Sequence, residues 1–162
     1  MAIAPKDTVI VPARFAWPEY QRFDAYICQP HRAFHNVSYC GFYTLNAIQP
    51  VVANIRSYHP DVLMTHENAQ RLRDMGHHAL GDLVSLVLNS GDRDEGKSNG
   101  IMLLSGPDDP DTVHLPHPIT NDTVKEQTGR RIAWTQNHRY ATLAQLASGI
   151  SLTSQLHSPN SS

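Results

Sequence analysis

The chain has 162 residues, 40% of them apolar and 17% charged, which is enough apolar side chain for one folded core and too little charge for a disordered chain. Its formal net charge of −2, from 13 basic and 15 acidic residues, excludes the strong overall positive field that drives nonspecific binding to nucleic acid. Any contact with nucleic acid therefore has to come from a local basic patch.

The sequence shows no membrane span and no disulfide framework. No stretch approaches the roughly 18 consecutive apolar residues of a span, and residues 1–6 have no long apolar run behind a basic start. We therefore expect a cytoplasmic protein without membrane contact. Cys28 and Cys40 lie in apolar, strand-like surroundings, which favours buried free thiols over a bridge or a nucleophile. One domain is expected over residues 1–155, with a flexible tail over residues 156–162.

The first quarter of the chain alternates strand-like and helix-like runs. Residues 8–11 and 25–28 are short, apolar and rich in β-branched or aromatic types, which predicts two strands. Residues 17–23 between them predict one short helix with Pro18 in its first turn.

The next segment predicts a hairpin followed by a helix. Residues 39–43 and 48–58 are rich in aromatic and β-branched types, and residues 44–47 supply the reversal between two antiparallel strands. Thr65 is a suitable N-cap, so an amphipathic helix is expected over residues 66–75.

The second half of the chain predicts four more strands and one short helix. The strands are expected over residues 83–88, 101–104, 112–115 and 131–134, and the helix over residues 143–147. The first two strands should form a hairpin around a long, polar, glycine-bearing loop, and the third should pair back on the second.

These elements together predict the fold class. Six or so strands with two or three short helices argue against a sheet of successive βαβ units, because each parallel crossover needs a long connection. We expect an α+β domain built on a small antiparallel or mixed β-barrel, or a curled sheet, with helices at one end.

Residues 91–98 match the G-x-x-x-x-G-K-[ST] phosphate-loop pattern, with Lys97 in the phosphate-binding position and Ser98 in the magnesium position. A working phosphate loop needs a helix that begins at the lysine, whereas glycine and then a strand-like run follow here. Three acidic side chains within the loop would also repel a triphosphate. We interpret the segment as a solvated loop.

Metal and catalytic patterns are incomplete. His114 and His117, or the adjacent pair His77 and His78, have no third and fourth ligand at a recognisable spacing. Glu67 follows a histidine, but the second histidine of a zinc helix is missing. We therefore expect no cofactor, no metal and no catalytic residue, and favour a binding protein over an enzyme.

Aromatic and basic side chains stand out in the strand contexts. They are Tyr39, Phe42, Tyr43, Trp134, His138, Arg139 and Tyr140. Aromatic faces together with a guanidinium suit stacking on an unpaired base, at about 1–3 kcal/mol per stacked base. Arg130 and Arg131 would add a basic rim. The alternative is that the same rings build the hairpin core.

Several of these segments resemble the PUA-like superfamily, whose EVE and ASCH branches are compact barrels. The resemblance lies in residues 39–43, 48–55, 102–105 and 113–119, and residues 132–143 are similar to the closing strand and helix of such domains. It covers roughly residues 24–150 and implies a pseudobarrel whose open cleft receives RNA or a modified DNA base, with no catalytic group. The Trp-rich opening typical of EVE domains is missing. The resemblance implies these cleft residues: Tyr43, Asn46, Trp134, Arg139 and Tyr140.

Three functions remain open at this point. The first is a non-catalytic module that recognises nucleic acid, either RNA or a modified or flipped base, through aromatic side chains and Arg139. The second is an enzyme, either a nucleotide hydrolase at residues 91–98 or a metal-dependent nuclease that uses scattered Asp, Glu and His side chains. The third is a protein-interaction domain whose exposed strand edge recruits a partner strand. The oligomeric state is not indicated by the sequence.

Overall fold

A computed structural model of the chain describes residues 6–123, 129, 134–135 and 137–156. The strands in this part are β1 (Thr8–Pro12), β2 (Ala25–Cys28), β3 (Tyr39–Thr44), β4 (Ala47–Ile48), β5 (Val51–Leu63), β6 (Ser98–Leu104), β7 (Val113–His114), β8 (Ile119–Thr120) and β9 (Arg139–Ala141). The helices are α1 (Ala16–Phe23), α2 (His66–Asp74), α3 (His78–Ser90) and α4 (Leu143–Leu146), followed by a 3-10 turn at Thr153–Gln155.

All nine strands belong to one mixed sheet with the main order β2-β6-β5-β3-β1-β9. β1 and β3 are parallel, and the other neighbours along this path are antiparallel. β4 pairs with β3 and β8, and β7 pairs with β5. The predicted α+β class is confirmed. In the described residues no ladder joins the outer strands β2 and β9, so the sheet is open there and the predicted closed barrel is not confirmed.

The sheet curls because its longest strand is bent. The first residues of β5 pair with β3 and β7, and the remainder pairs with β6. The register of the β5–β6 pair shifts between Ile55 and Ser57 and again between His59 and Val62, and such bulges increase local twist. As a result, side chains from strands at both ends of the sheet meet in one inner core, into which α1 inserts Tyr20.

The alternation of strand residues builds two further cores on the outer face. Ile27 of β2 and Ile101 of β6 point outward and pack under α2 and α3. Ile10 of β1 and Tyr43 of β3 point outward at the other end and pack with Trp134. The sheet is therefore covered on both faces.

Residues 83–88, predicted as a strand, lie within α3, and this prediction was wrong. The run is apolar at almost every position, so its periodicity does not separate a buried strand from a buried helix. In the structure Leu80, Leu83, Val84 and Val87 have helical spacing and form one buried face against the sheet. The predicted second hairpin is therefore not formed, because its first arm is α3, whereas its second arm, residues 101–104, is a strand within β6 as predicted. The described part has four helices where two or three were predicted.

The remaining predictions divide between agreement and correction. The first two strands, α1, the 39–58 hairpin, the Thr65-capped α2 and α4 are present. The strand near residue 113 pairs with β5 and not with β6 as predicted. Residues 131–133 of the last predicted strand and residues 157–162 of the tail lie outside the described residues. No helix in the described part is long and apolar enough to cross a bilayer.

Candidate functional site

Four of the five predicted site residues lie together, and we call this group the tryptophan cluster: Tyr43, Asn46, Trp134 and Arg139. The rings of Tyr43 and Trp134 are 5.9 Å apart, and the Trp134 amide donates a 3.2 Å hydrogen bond to the Tyr43 hydroxyl. Arg139 Cζ lies 4.2 Å from the centre of the Trp134 ring, and its Nη1 donates to the Trp134 carbonyl at 2.9 Å. The Tyr43 hydroxyl lies 3.5 Å from Asn46 Oδ1.

The tryptophan cluster is part of the core more than it is a binding surface. Tyr43 and Trp134 are each only 8% exposed, and the Arg139 guanidinium covers one face of the indole. A base therefore has no open ring to stack on here. Tyr140, the fifth predicted residue, alternates to the other face of β9, where its ring stacks on His35 at 4.1 Å. The structure thus separates it from the other four.

A different site lies between the ends of β1 and β2. The cavity there has a volume of about 410 Å³ and is lined by side chains of both strands and of the segments that follow them. A second cavity of about 430 Å³ adjoins it along α1 and shares Phe15, Glu19 and Arg93 with it. We call this continuous depression the arginine groove and define it by Arg14, Phe15, Glu19, Arg32 and Arg93.

One wall of the arginine groove is the connection from β1 to α1. Arg14 and Phe15 lie between the end of β1 at Pro12 and the start of α1 at Ala16, and Phe15 is the residue that precedes the first turn of α1. The Phe15 ring is 75% exposed, although aromatic rings of this size are usually buried. Arg14 Cζ lies 5.5 Å from the centre of that ring. A solvent-facing ring and guanidinium therefore stand side by side at the rim.

The floor of the arginine groove holds an ion pair. Arg93 donates through Nε to Glu19 Oε2 at 3.0 Å and through Nη2 to Glu19 Oε1 at 2.6 Å, which is the bidentate geometry of a strong pair. Glu19 is only 8% exposed. Nη2 of Arg93 also lies 3.4 Å from the carbonyl oxygen of Ile27 on β2. The charge of Arg93 is therefore neutralised.

The opposite wall carries Arg32, which neutral tyrosines hold in place. Nη1 of Arg32 donates to the Tyr26 hydroxyl at 3.0 Å, and the Tyr58 hydroxyl donates to the Arg32 carbonyl. Burial raises the pKa of Tyr26 and raises the pKa of Tyr58 to about 12, so neither ring supplies a negative charge at neutral pH.

The cationic balance of the groove follows from these contacts. No carboxylate of the described residues lies within ion-pairing distance of Arg14 or Arg32. Within the described part of the chain, the groove thus offers two cations without an acidic partner above a neutralised floor. The whole chain nevertheless carries a net charge of −2. This is the local basic patch that an anionic ligand requires.

The phosphate-loop segment has the wrong geometry for a nucleotide site. β6 begins at Ser98, so a strand and not a helix follows Lys97, and the lysine itself lies 3.4 Å from Asp94. The amide of Gly96 donates to the Met64 carbonyl instead of facing an open cradle. The helix of this region, α3, ends before the segment begins, so it directs its carboxyl end toward the loop.

Nucleophilic and metal chemistry gain no support from the described residues. Cys28 and Cys40 are buried free thiols, as predicted, and burial raises the pKa of both. A raised pKa keeps a thiol protonated, which suppresses its reactivity as a nucleophile. Among the described residues no group of three His, Cys, Asp or Glu side chains is placed to hold a metal ion.

The sequence did not point to Arg14, Phe15, Arg32 or Arg93. One signal was present: the segments after β1 and β2 each place an arginine within two residues of a phenylalanine, at Arg14–Phe15 and Arg32–Phe34, outside any regular element. Connecting segments on a rigid sheet are common positions for binding residues. The sequence matches no protein-family model, and no curated protein or solved structure is significantly similar to it. A function for the groove therefore has to be inferred from its chemistry.

Proposed function

We propose that the arginine groove binds single-stranded nucleic acid. Arg14 and Arg32 contact phosphates, and the exposed Phe15 ring stacks on a base. The observation that carries the proposal is the placement, in one concave surface, of two arginines that have no acidic partner among the described residues, beside Phe15, which is 75% exposed. A charged groove combined with an aromatic platform is the usual physical basis of single-strand binding.

The magnitudes are those of a modest, salt-sensitive interaction. Two phosphate contacts to a single strand predict a slope of log K against log salt of about −1.4. One stacked base adds about 1–3 kcal/mol. This proposal keeps the nucleic-acid function expected from the sequence but moves the binding surface from the tryptophan cluster to the arginine groove. RNA and a modified DNA base both remain ligands that the experiment below separates.

A protein partner is a second candidate, because no strand of the described residues pairs with the edge of β2 that faces the groove. Arg93 Nη2 contacts the Ile27 carbonyl there at 3.4 Å. The Leu104 amide donates to the Asp24 carbonyl at 3.0 Å, and the antiparallel register then also directs the backbone groups of Tyr26 and Cys28 toward β6. Ile27 lies between them, so its amide and carbonyl point away from β6 and toward the groove. A partner strand would pair with this edge.

The test is binding of labelled single-stranded RNA and DNA of about eight nucleotides, a length within the usual site size. Fluorescence anisotropy at several salt concentrations gives both the affinity and the salt slope. We expect Arg14→Ala and Arg32→Ala each to weaken binding about tenfold and to reduce the slope by about 0.7. Different affinities for RNA, DNA and DNA with a modified base would identify the ligand class.

Arg71→Ala is the matched control, because Arg71 is an exposed arginine on α2, outside the groove. It removes the same charge and should leave the affinity within about twofold. Absence of binding, or an equal loss in Arg71→Ala and Arg14→Ala, contradicts the proposal. Binding of a peptide with little salt dependence would favour strand addition at β2 instead.

A further inference from the structure

We propose that His138 positions Arg32 in the arginine groove and does so only while its imidazole is neutral, so that acid pH withdraws Arg32 from the ligand. This rests on the function proposed for the groove. The segment concerned is the loop of residues 29–38, which connects β2 to β3 and carries Arg32, Phe34 and His35. We call it the arginine loop.

The arginine loop is fixed by rings on both sides of Phe34. The Phe34 ring lies 5.0 Å from Tyr58 in an edge-on arrangement and 6.4 Å from Tyr26. Its third neighbour is the imidazole of His138, also at 5.0 Å. Tyr26 accepts from the Arg32 guanidinium and Tyr58 donates to the Arg32 carbonyl, so the rings that contact Phe34 also hold the side chain and the backbone of Arg32. A movement of the His138 ring therefore shifts Phe34, and Phe34 is only two residues from Arg32 along the chain.

The environment of His138 suits a neutral ring. Its Nδ1 atom is buried and has no hydrogen-bond partner among the described residues. In the neutral ring that nitrogen is able to remain a bare acceptor, whereas in the imidazolium it carries a proton with no acceptor to receive it. Leaving a buried donor unpaired costs more than a normal hydrogen bond contributes.

The groups that face His138 add to this preference. The arginine loop contributes Arg32 and His35, and β9 contributes Tyr140, whose ring lies 5.4 Å from the imidazole. Tyr58 and Tyr26 contact the Phe34 ring, which in turn contacts the imidazole of His138. In the described part of the chain no carboxylate is within ion-pairing distance of His138. Burial first, and then the charges of Arg32 and His35, lower the pKa of His138 from its ordinary 6.5.

Protonation of His138 therefore opposes the folded position of the loop. Because the pKa is lower in the folded state than in the unfolded state, the stabilisation is fully present above pH 6.5 and is lost as pH falls through the folded value. The loop is also clamped by His35, whose ring stacks on Tyr140 and whose amide donates to the Tyr140 hydroxyl at 2.9 Å. Loss of the Phe34–His138 contact removes one of the ring contacts that fix the loop. The remaining contacts, including this clamp, then open more often, and Arg32 is held less firmly at the groove.

The sign of the pH effect makes the inference testable. The chain has ten histidines, so acid pH adds positive charge and by itself strengthens binding to a nucleic acid. A positioning role for His138 predicts the opposite. We expect the affinity for the oligonucleotide to fall about threefold to tenfold between pH 7.5 and pH 5.5, since complete loss of the Arg32 contact should weaken binding about tenfold.

The experiment has two arms. In the first, hydrogen exchange of the arginine-loop amides is measured in the free protein at pH 7.5 and pH 5.5 and corrected for the intrinsic pH dependence of exchange. The His35 amide should lose protection at the lower pH. In the second, the ratio of oligonucleotide affinities at the two pH values is measured for the wild type, for His138→Phe and for His114→Phe. His114 is exposed on β7 and is the matched control.

The expected result is that His138→Phe, which keeps an aromatic ring but cannot be protonated, removes the acid weakening, and that His114→Phe retains it. Unchanged protection of the loop at pH 5.5, or an affinity that rises in acid for the wild type, overturns the inference. If the loop opens in acid but no oligonucleotide binds at either pH, the proposed function fails and the His138 contact stands. If binding depends on Arg32 but the loop shows no change with pH, the proposed function stands and the role of His138 is contradicted.

Discussion

In the tryptophan cluster Arg139 lies over a buried indole, whereas in the arginine groove Arg14 lies beside a phenyl ring that faces solvent. Trp134 is 8% exposed and Phe15 is 75% exposed, although both are aromatic side chains next to an arginine. The two regions therefore use similar residues for different ends. In the first, ring and cation contact each other and the neighbouring backbone. In the second they face solvent, where we propose that a ligand binds.

This difference shows that an arginine beside an aromatic residue is not in itself a binding signal. The Arg139 guanidinium donates to the Trp134 carbonyl, and the Trp134 amide donates to Tyr43, so the polar groups of the cluster are paired within the protein. Arg14 has no carboxylate in ion-pairing distance among the described residues. A charged group without an acidic partner on a concave surface is therefore better evidence for a binding site than an arginine beside an aromatic ring.

The largest expected effect is on the stability of the tryptophan cluster. Trp134→Ala removes a buried ring and should lower the free energy of unfolding by about 3–5 kcal/mol. Phe15→Ala removes an exposed ring and should change it by less than about 0.5 kcal/mol. Urea denaturation followed by circular dichroism measures both.

Similar effects of the two substitutions on the free energy of unfolding would contradict the assignment of Trp134 to the core and Phe15 to the surface. Their effects on oligonucleotide binding should follow the opposite order. Under conditions where Trp134→Ala remains folded, Phe15→Ala should weaken binding more than Trp134→Ala does. Loss of the stacking platform in Phe15→Ala should weaken binding by about 1–3 kcal/mol. A Trp134→Ala protein that stays folded but loses binding would return the site to the tryptophan cluster.

The sequence predicted those parts of the fold that local pattern controls. Alternation and β-branched residues identified β1, β2 and β3, and the side chain of Thr65 caps α2 as expected by accepting from the Asn68 amide. The run at residues 83–88, apolar except for Ser85, has no such local signature, because a strand of a sheet that is covered on both faces is also apolar at nearly every position. Only the sheet surface that it covers, formed by β2 and β6, makes it a helix.

The site was less predictable, because burial and pairing depend on contacts between distant residues. The Trp134 amide bonds to a hydroxyl 91 residues away, and the Arg93–Glu19 pair spans 74 residues. Neither contact leaves a mark in the local sequence. The sequence grouped Tyr140 with Trp134 and Arg139, but in the structure Tyr140 lies on the other face of β9. The sequence also had no means to show that Trp134 would be buried and that Phe15 would be exposed.

A smaller effect is expected at the floor of the arginine groove. Arg93→Ala leaves the Glu19 carboxylate without its bidentate partner at a position that is only 8% exposed, and should cost about 2–3 kcal/mol, less than a fully buried pair because Arg93 is itself partly exposed. Glu19→Gln keeps the shape and a hydrogen-bonding group, so it should cost less. Chemical denaturation of the two single variants and the double variant gives the coupling energy.

The double variant decides whether the pair or the individual side chains matter. If the ion pair is the relevant unit, the combination of Arg93→Ala and Glu19→Gln should be more stable than the sum of the two single changes predicts. Additive losses would mean that the floor of the groove is held by packing. In that case the pairing with Glu19 would no longer be a reason to treat Arg93 differently from Arg14 and Arg32.

The smallest expected effect concerns Leu45, at the tip of the β3–β4 hairpin. Leu45 and Asn46 both have positive φ, 54° and 60°, which is the type I′ geometry that favours Asn and Gly. Leu45 is also 83% exposed, so neither its backbone nor its side chain favours leucine there. Leu45→Asn should raise the free energy of unfolding by about 0.5–1 kcal/mol.

Leu86→Asn is the control, since Leu86 is an exposed leucine within α3. Asparagine is a poorer helix former than leucine, so this change should lower the free energy of unfolding by about 0.5 kcal/mol at most.

Leu45 lines a cavity of about 360 Å³ together with Arg14 and Tyr43, so it lies where the arginine groove and the tryptophan cluster meet. If the strained leucine is retained for contact with a ligand, Leu45→Asn should gain stability and lose affinity together. Gain of stability with unchanged oligonucleotide affinity would place the ligand entirely on the Phe15 side of Arg14.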